Sequence, residues 1–183
     1  QILDPLGLYG GYCIDSLDNA RFASLYSYDN KNETFVLQPL AYNPRSEEVR
    51  NYKIGESTPI FSPTGGMKIS AVGLAKYMTM HMNYGKFGKV KILSKKSAKL
   101  MQTKISDKEG YGLALLETTK LIPGQHLVGH TGSAYGLYSS MFFNPKEKYG
   151  IVVITNGCLP TYKDGSVALT TEIVNLLYQR LIK

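Results

Sequence analysis

The sequence predicts an α+β protein, an antiparallel β-sheet packed by helices, one of them C-terminal. Three observations carry this. Two segments that predict helices, the first of helical period with Ser70 placed to cap it, occupy the middle of the chain. Short β-branched and aromatic runs follow from Tyr111 to Thr155, and an amphipathic stretch closes the chain. At 183 residues, 43% apolar and 19% charged, with no repeat, low-complexity tract or linker, residues 1–183 read as a single unit. A chain of this length buries roughly 70% of its unfolded surface, so its core needs neither a disulfide framework nor a structural metal.

The opening segment, from Asp4-Pro5-Leu6-Gly7-Leu8 to Asp18, is turn-rich and aromatic. Residues 21–28 and 34–37 flank Asp29-Asn30-Lys31-Asn32, a cluster that favours a turn, and so predict a hairpin. Residues 39–63 hold prolines and no sustained period, which predicts a long surface loop able to line a cleft. Ser70 can cap a helix that carries Ala71, Leu74, Ala75, Met78 and Met82 on one face and ends at Gly85. The Met-rich stripe is core. A second helix, from Ser94 to about Thr103, is expected to bury Leu100 and Met101 and turn its lysines outward.

Residues 111–117, 126–131, 137–143 and 151–155 predict an antiparallel meander, broken at Pro123-Gly124, at 132–136 and at 144–150. The last helix, from about Ser166 to Ile182, places Val167, Val174, Leu177 and Leu181 on one face, with Ile173 and Leu176 widening it. It is expected to pack across the sheet, and Arg180 and Lys183 suit its C-terminal dipole.

Net charge is 21 − 14 = +7, and its source is local. Lys86, Lys89, Lys91, Lys95, Lys96, Lys99, Lys104 and Lys108 face one acid, Asp107, within 86–108, and the remainder balances at thirteen against thirteen. None of the chain's four arginines lies in this segment, which speaks for a solvated lysine face and against a nucleic-acid partner. A polyanion or a membrane headgroup is the lesser alternative. The longest aliphatic run is Ile151-Val152-Val153-Ile154, so no membrane span is expected. Cys13 and Cys158 lie far apart and read as buried free thiols. The sequence opens on Gln1 with neither a methionine nor a signal pattern, which suggests a piece of something longer.

Three histidines, His81, His126 and His130, are the only side chains whose ordinary pKa lies near neutrality. His81 falls within the Met-rich helix, where a satisfied or exposed histidine is the ordinary case. His126 and His130 share one face of a presumed strand, yet no third ligand of suitable spacing accompanies them, so neither a metal nor a cofactor is expected. His130-Thr131-Gly132-Ser133 is the most informative tetrapeptide. A strand that reaches a glycine admits another backbone, and beside it stand an imidazole, a hydroxyl and the Ser133 N–H, a set able to hold a carboxylate or a developing oxyanion. Taken alone, the four residues favour a plain glycine bend at a strand end.

Their surroundings shift that balance. In order come Asp4-Pro5-Leu6-Gly7-Leu8, Thr64-Gly65-Gly66-Met67-Lys68-Ile69-Ser70, Tyr111-Gly112-Leu113, Gly129-His130-Thr131-Gly132 with Gly136, and Asn156-Gly157. This series resembles the serine hydrolases that include class C β-lactamases, D,D-carboxypeptidases, D-aminopeptidases and related esterases, and it matches the later part of their catalytic domain. The resemblance implies a partial β-lactamase/transpeptidase-like fold and an acyl-enzyme route. It assigns His130 and Thr131 to substrate orientation and proton movement, and Gly132 and Ser133 to substrate binding and the oxyanion hole. Histidine where the β-lactamases carry lysine resembles the peptidase and esterase branches instead.

One family feature is missing from the sequence. No serine here has a lysine three residues later, so the Ser-x-x-Lys nucleophile is absent, and Tyr28-Asp29-Asn30 stands on the wrong side of the Pro-Leu-Gly segment to be the family's Tyr-x-Asn motif. The sequence therefore reads as the substrate-side portion of a hydrolase whose nucleophile lies on an N-terminal part not included. Its expected partners are a small-molecule or peptide substrate, that missing part of the same domain, or a second copy covering an exposed sheet edge. The resemblance also implies an extracytoplasmic location. Two other readings remain open at this point, a non-catalytic module that binds cell-wall peptides or another acyl ligand, and an interaction domain that uses the lysine face.

Overall fold

A computed structural model describes residues 1–57, 66–108, 110–163 and 165–183. Its elements in chain order are β1 (Gly10–Gly11), β2 (Tyr26–Asp29), β3 (Thr34–Leu37), α1 (Ser46–Arg50), β4 (Lys68–Ile69), α2 (Ala71–Met82), β5 (Lys86–Phe87) and β6 (Val90–Lys91). There follow α3 (Lys95–Gln102), β7 (Leu116–Thr118), β8 (Leu127–Ala134), β9 (Leu137–Asn144), β10 (Tyr149–Ile154), β11 (Tyr162–Lys163), β12 (Ser166–Val167) and α4 (Ala168–Leu181). Among the described residues no helix is long and apolar enough to cross a membrane.

The predicted meander forms a four-stranded antiparallel sheet in the order β10-β9-β8-β7. Alternation divides its side chains between two cores. Phe142, Ile151 and Val153 pack with Leu121, Ile122 and Leu127 against Val174 of α4. On the opposite face Val128, Met141 and Phe143 pack with Leu115 against Met78 of α2. The sheet is thus sandwiched between two helices, the α+β arrangement expected from the sequence.

Helix α2 is nucleated as expected: the Ser70 hydroxyl accepts the Gly73 N–H at 3.0 Å. Gly85, at φ 94°, closes it through an N–H bond to the Met80 carbonyl at 2.8 Å, and a Cβ there would collide with the Leu93 backbone. The single-stripe expectation fails, because α2 is buried on two sides. Leu74, Met78 and Met82 face the sheet, while Met80 and Tyr77 join Leu6 and Leu8 in a third cluster, and Ala71 is exposed. His81 is buried rather than satisfied or exposed, and neither ring nitrogen meets a partner.

Other differences have local causes. In α3, capped by Ser94, Met101 packs on the core as expected beside the buried Ala98 and Gln102, but Leu100 is exposed. In α4, Thr170 and Val174 are buried and Ile173 and Leu177 pack on the sheet, but Leu176 and Leu181 lie outward. The 111–117 segment is mostly a bend: Tyr111 bridges Leu116, Ala114 takes φ 62°, and only Leu116–Thr118 pairs as a strand. The 39–63 loop contains a short 3-10 turn at Pro39–Tyr42 and helix α1, and residues 58–63 lie outside the described residues. Both cysteines are free, Cys158 buried and Cys13 only partly so.

Candidate functional site

Strand β8 is built in two halves. Leu127, Val128 and Gly129 are buried, whereas His130, Thr131, Ser133 and Ala134 are exposed and Gly132 is half-buried. β7 pairs only with the first half, through Thr118↔Leu127, Glu117↔Val128 and Leu116↔Gly129. Beyond Gly129 the strand pairs, among the described residues, with β9 alone, so within them its other side is an open edge.

Register decides which backbone groups face that edge. The β8–β9 hairpin turns on two residues, Tyr135 and Gly136, both at positive φ (52° and 81°), as in a type I′ turn. The pair flanking such a turn, Ala134↔Leu137, exchanges both hydrogen bonds, and hydrogen-bonded pairs then alternate along the ladder. Ser133↔Tyr138 and Thr131↔Ser140 are therefore non-hydrogen-bonded pairs, and the N–H and C=O groups of Thr131 and Ser133 point away from β9 into the open edge. Tyr138 obeys the same rule on the far side, where its C=O accepts the Thr155 N–H at 2.9 Å.

Both ring nitrogens of His130 are engaged. Nδ1 contacts the Thr131 carbonyl, which can only accept, so Nδ1 carries the proton in the neutral ring. Nε2 is then the acceptor and receives the Tyr111 hydroxyl at 3.3 Å, with ring centroids 5.7 Å apart. Tyr111 is held by its backbone. Its carbonyl accepts the Ile105 N–H at 2.8 Å and the Ser106 N–H at 3.1 Å, and a Cβ at Gly112 would press on the carbonyls of Met101 at 2.5 Å and Thr103 at 2.6 Å. Sequence reasoning found the Tyr111-Gly112 dipeptide but gave Tyr111 no role. The missing information was that the bend at 111–115 returns the tyrosine to β8.

The predicted residues converge unevenly. Strand alternation sends the side chains of His130 and Thr131 to opposite faces, so they meet through the Thr131 carbonyl and the shared edge. The space at Gly132 has a local cause, since a Cβ there would lie 2.5 Å from Oγ of its cross-strand partner Ser139. Gly129 marks the closest backbone approach, because a Cβ would collide with the Met141 carbonyl. His126 does not reach His130. Its Nε2 pairs with Glu117 Oε1 at 2.9 Å. Among the described residues no three His, Cys, Asp or Glu side chains gather as a metal site.

The hairpin tip is locked from the other side of the chain. A Cβ at Gly136 would collide with the Tyr26 carbonyl, and the Tyr26 N–H donates to the Asn156 carbonyl at 2.9 Å. Next to this contact a cleft of about 310 Å³ opens between Asn19, Phe22, Leu25, Leu37, Gln38 and Tyr42. The predicted tetrapeptide does not line it. Thr64 and Gly65, quoted above with the glycine segment, lie outside the described residues.

A family profile described as Beta-lactamase matches residues 1–168. The chain belongs to the Beta-lactamase family. Its fold agrees with that membership. Solved structures similar to it include a D-stereospecific amidohydrolase from Streptomyces sp., at TM-score 0.61 and 18% identity, covering 98% of this chain and 46% of that one. Another is SurE, at TM-score 0.62 and 16% identity, covering 98% of this chain and 37% of that one. The chain thus spans less than half the length of these relatives. No curated protein matches the sequence. The Beta-lactamase-family hydrolase fold fits the position of β8, an inner strand of the sheet with half its length unpaired on one side.

Proposed function

We propose that residues 1–183 form the substrate-side portion of a serine hydrolase domain that cleaves peptide, amide or ester bonds through an acyl-enzyme. The observation that carries this reading is the outward Ser133 N–H on the open edge of β8, beside an imidazole whose orientation is fixed from both sides. An extended substrate lies along that edge as an added strand, its carbonyl oxygen on the Ser133 N–H. The nucleophile's own N–H completes the oxyanion hole. Thr131 orients the substrate from the strand, and Gly132 between them contributes backbone only, its side-chain position being taken by Ser139. His130 Nε2, capped by the Tyr111 hydroxyl, forms a short relay through which a proton reaches or leaves the reacting group.

Because no serine of the chain has a lysine at the third following position, the nucleophile and its base come from a part of the domain outside residues 1–183. That part also covers sheet edge and apolar surface, and the intact protein works outside the cytoplasm. Amide hydrolysis, for which the Streptomyces relative is named, lies within this substrate class. The same absence favours a second reading, a module that binds acyl ligands without turnover.

A polypeptide that contains residues 1–183 with their N-terminal complement is incubated with a fluorescent acylating probe. A serine becomes labelled, and His130→Ala or Thr131→Ala slows labelling about 100-fold or more while circular dichroism is unchanged. Labelling at the wild-type rate in both variants overturns the roles of β8, and an unlabelled protein that still binds acyl ligands establishes the second reading.

A further inference from the structure

One face of the chain carries ammonium groups without counterions. Lys86 and Lys91 lie directly opposite each other across the β5–β6 hairpin, with Lys89 in the turn between them and Lys95, Lys96 and Lys99 along α3, all exposed. Like charges facing across a strand pair cost stability, and among the described residues no ion pair offsets it. At the end of α2 the crowding is closer still. The Nζ atoms of Lys148, Lys99 and Lys95 lie 4.5, 5.7 and 6.0 Å from the centre of the Tyr84 ring. Lys148 Nζ also donates to the Met82 carbonyl at 2.6 Å, and burial, with the neighbouring Lys95 ammonium, holds this amine below its ordinary range. Among the described residues none of these seven lysines has a carboxylate within 4.0 Å, the reach of an ion pair; Lys104, outside the group, pairs with Asp107.

Exposed aliphatic groups follow these lysines along the chain. Leu100, one turn after Lys96 on α3, is 51% exposed, and Ile105 just beyond α3 is 63% exposed. We propose that the face formed by the β5–β6 hairpin, α3 and Lys148 docks on an anionic phospholipid surface, with its lysines among the headgroups and Leu100 and Ile105 in the interfacial layer. Flexible point charges suit headgroups of no fixed geometry, whereas a nucleic-acid reader relies on forked donors, and 86–108 holds no arginine. Protruding aliphatics gain only from an apolar layer, which a soluble polyanion does not offer.

The test is co-sedimentation of the full chain with phosphatidylcholine vesicles, with and without about a third phosphatidylglycerol. Binding requires the anionic lipid and weakens with salt. It falls about 100-fold in Lys95→Gln/Lys96→Gln/Lys99→Gln, persists when the same three become arginine, and is unchanged in Lys31→Gln/Lys120→Gln/Lys183→Gln, which removes equal charge elsewhere. Leu100→Ser weakens it several-fold at fixed salt. Equal sedimentation with both vesicle types, or equal loss in the two glutamine variants, overturns the proposal. Release of the bound chain by a soluble polyphosphate, with no effect of Leu100→Ser, assigns the face to a soluble polyanion instead and overturns it too.

Discussion

Between about pH 6.5 and 4, burial of His81 makes acid destabilising. His81 is 1% exposed on α2, its ring meets Tyr77 edge-on at 4.8 Å, and neither Nδ1 nor Nε2 has a hydrogen-bond partner. Burial pushes its pKa from 6.5 down to about 4, so the folded chain holds the neutral ring while the unfolded chain takes up a proton readily. Stability from this group is fully present above pH 6.5, falls with pH between 6.5 and 4, and changes no further below. The interval corresponds to about 3 kcal/mol, of which about 2 kcal/mol is gone by pH 5. Native domains hold about 5–15 kcal/mol in total, so the loss is visible in an ordinary urea titration. The assay is the urea midpoint of wild type and His81→Leu across this range. The variant loses the acid slope assigned to His81 and, freed of two unmet polar atoms, gains about 1 kcal/mol near neutrality. A variant that follows the wild-type pH curve in parallel refutes the assignment.

Two further outcomes follow from the sheet. Gly129→Ala drives a methyl into the β9 backbone and costs about 3 kcal/mol or more in a denaturant titration, whereas Gly124→Ala, at φ 78° with nothing within 4 Å, costs about 1 kcal/mol. Near-equal losses would show that β8 and β9 can separate locally. Tyr111→Phe keeps the ring contact and removes the hydroxyl on His130 Nε2, so acyl transfer by the complete domain slows about 10-fold with KM unchanged. A rise in KM at constant kcat would place Tyr111 in substrate binding instead.

Legibility in the sequence follows the range of the interactions involved. The Ser70 and Ser94 caps, the stop at Gly85 and the Asp29-Asn30-Lys31-Asn32 turn were readable because each is settled within a few residues. The strands β8 to β10 were readable as short apolar and β-branched runs because core packs on both faces of the sheet. Burial of Met80 was not readable, since it depends on residues 3–8 folding back over the outer side of α2. Leu100 misled for the opposite reason: periodicity gives a helix an apolar stripe but does not say whether a partner covers it. At the candidate site the tetrapeptide was visible and its surroundings were not. The β8–β9 register, which turns the Ser133 N–H outward, depends on a two-residue turn at Tyr135-Gly136, inside the 132–136 stretch read as a break between strands.

An unpaired strand edge invites aggregation unless it is short, polar or covered. The open half of β8 avoids this by composition: His-Thr-Gly-Ser-Ala offers little apolar surface for a stray strand to gain from, while Leu127, Val128 and Gly129 fix the same strand in the core. Rigidity is supplied at both ends, by β7 up to Gly129 and by Tyr26 against the hairpin tip at Gly136. A segment that is held so firmly, yet among the described residues has no strand paired with the outward N–H groups of Thr131 and Ser133, is suited to a guest backbone rather than to structure. Because the backbone donors sit on a regular strand, the spacing from His130 to the Ser133 N–H is set by the pleat. A guest that pairs with the edge is therefore placed in register with the imidazole before any chemistry begins.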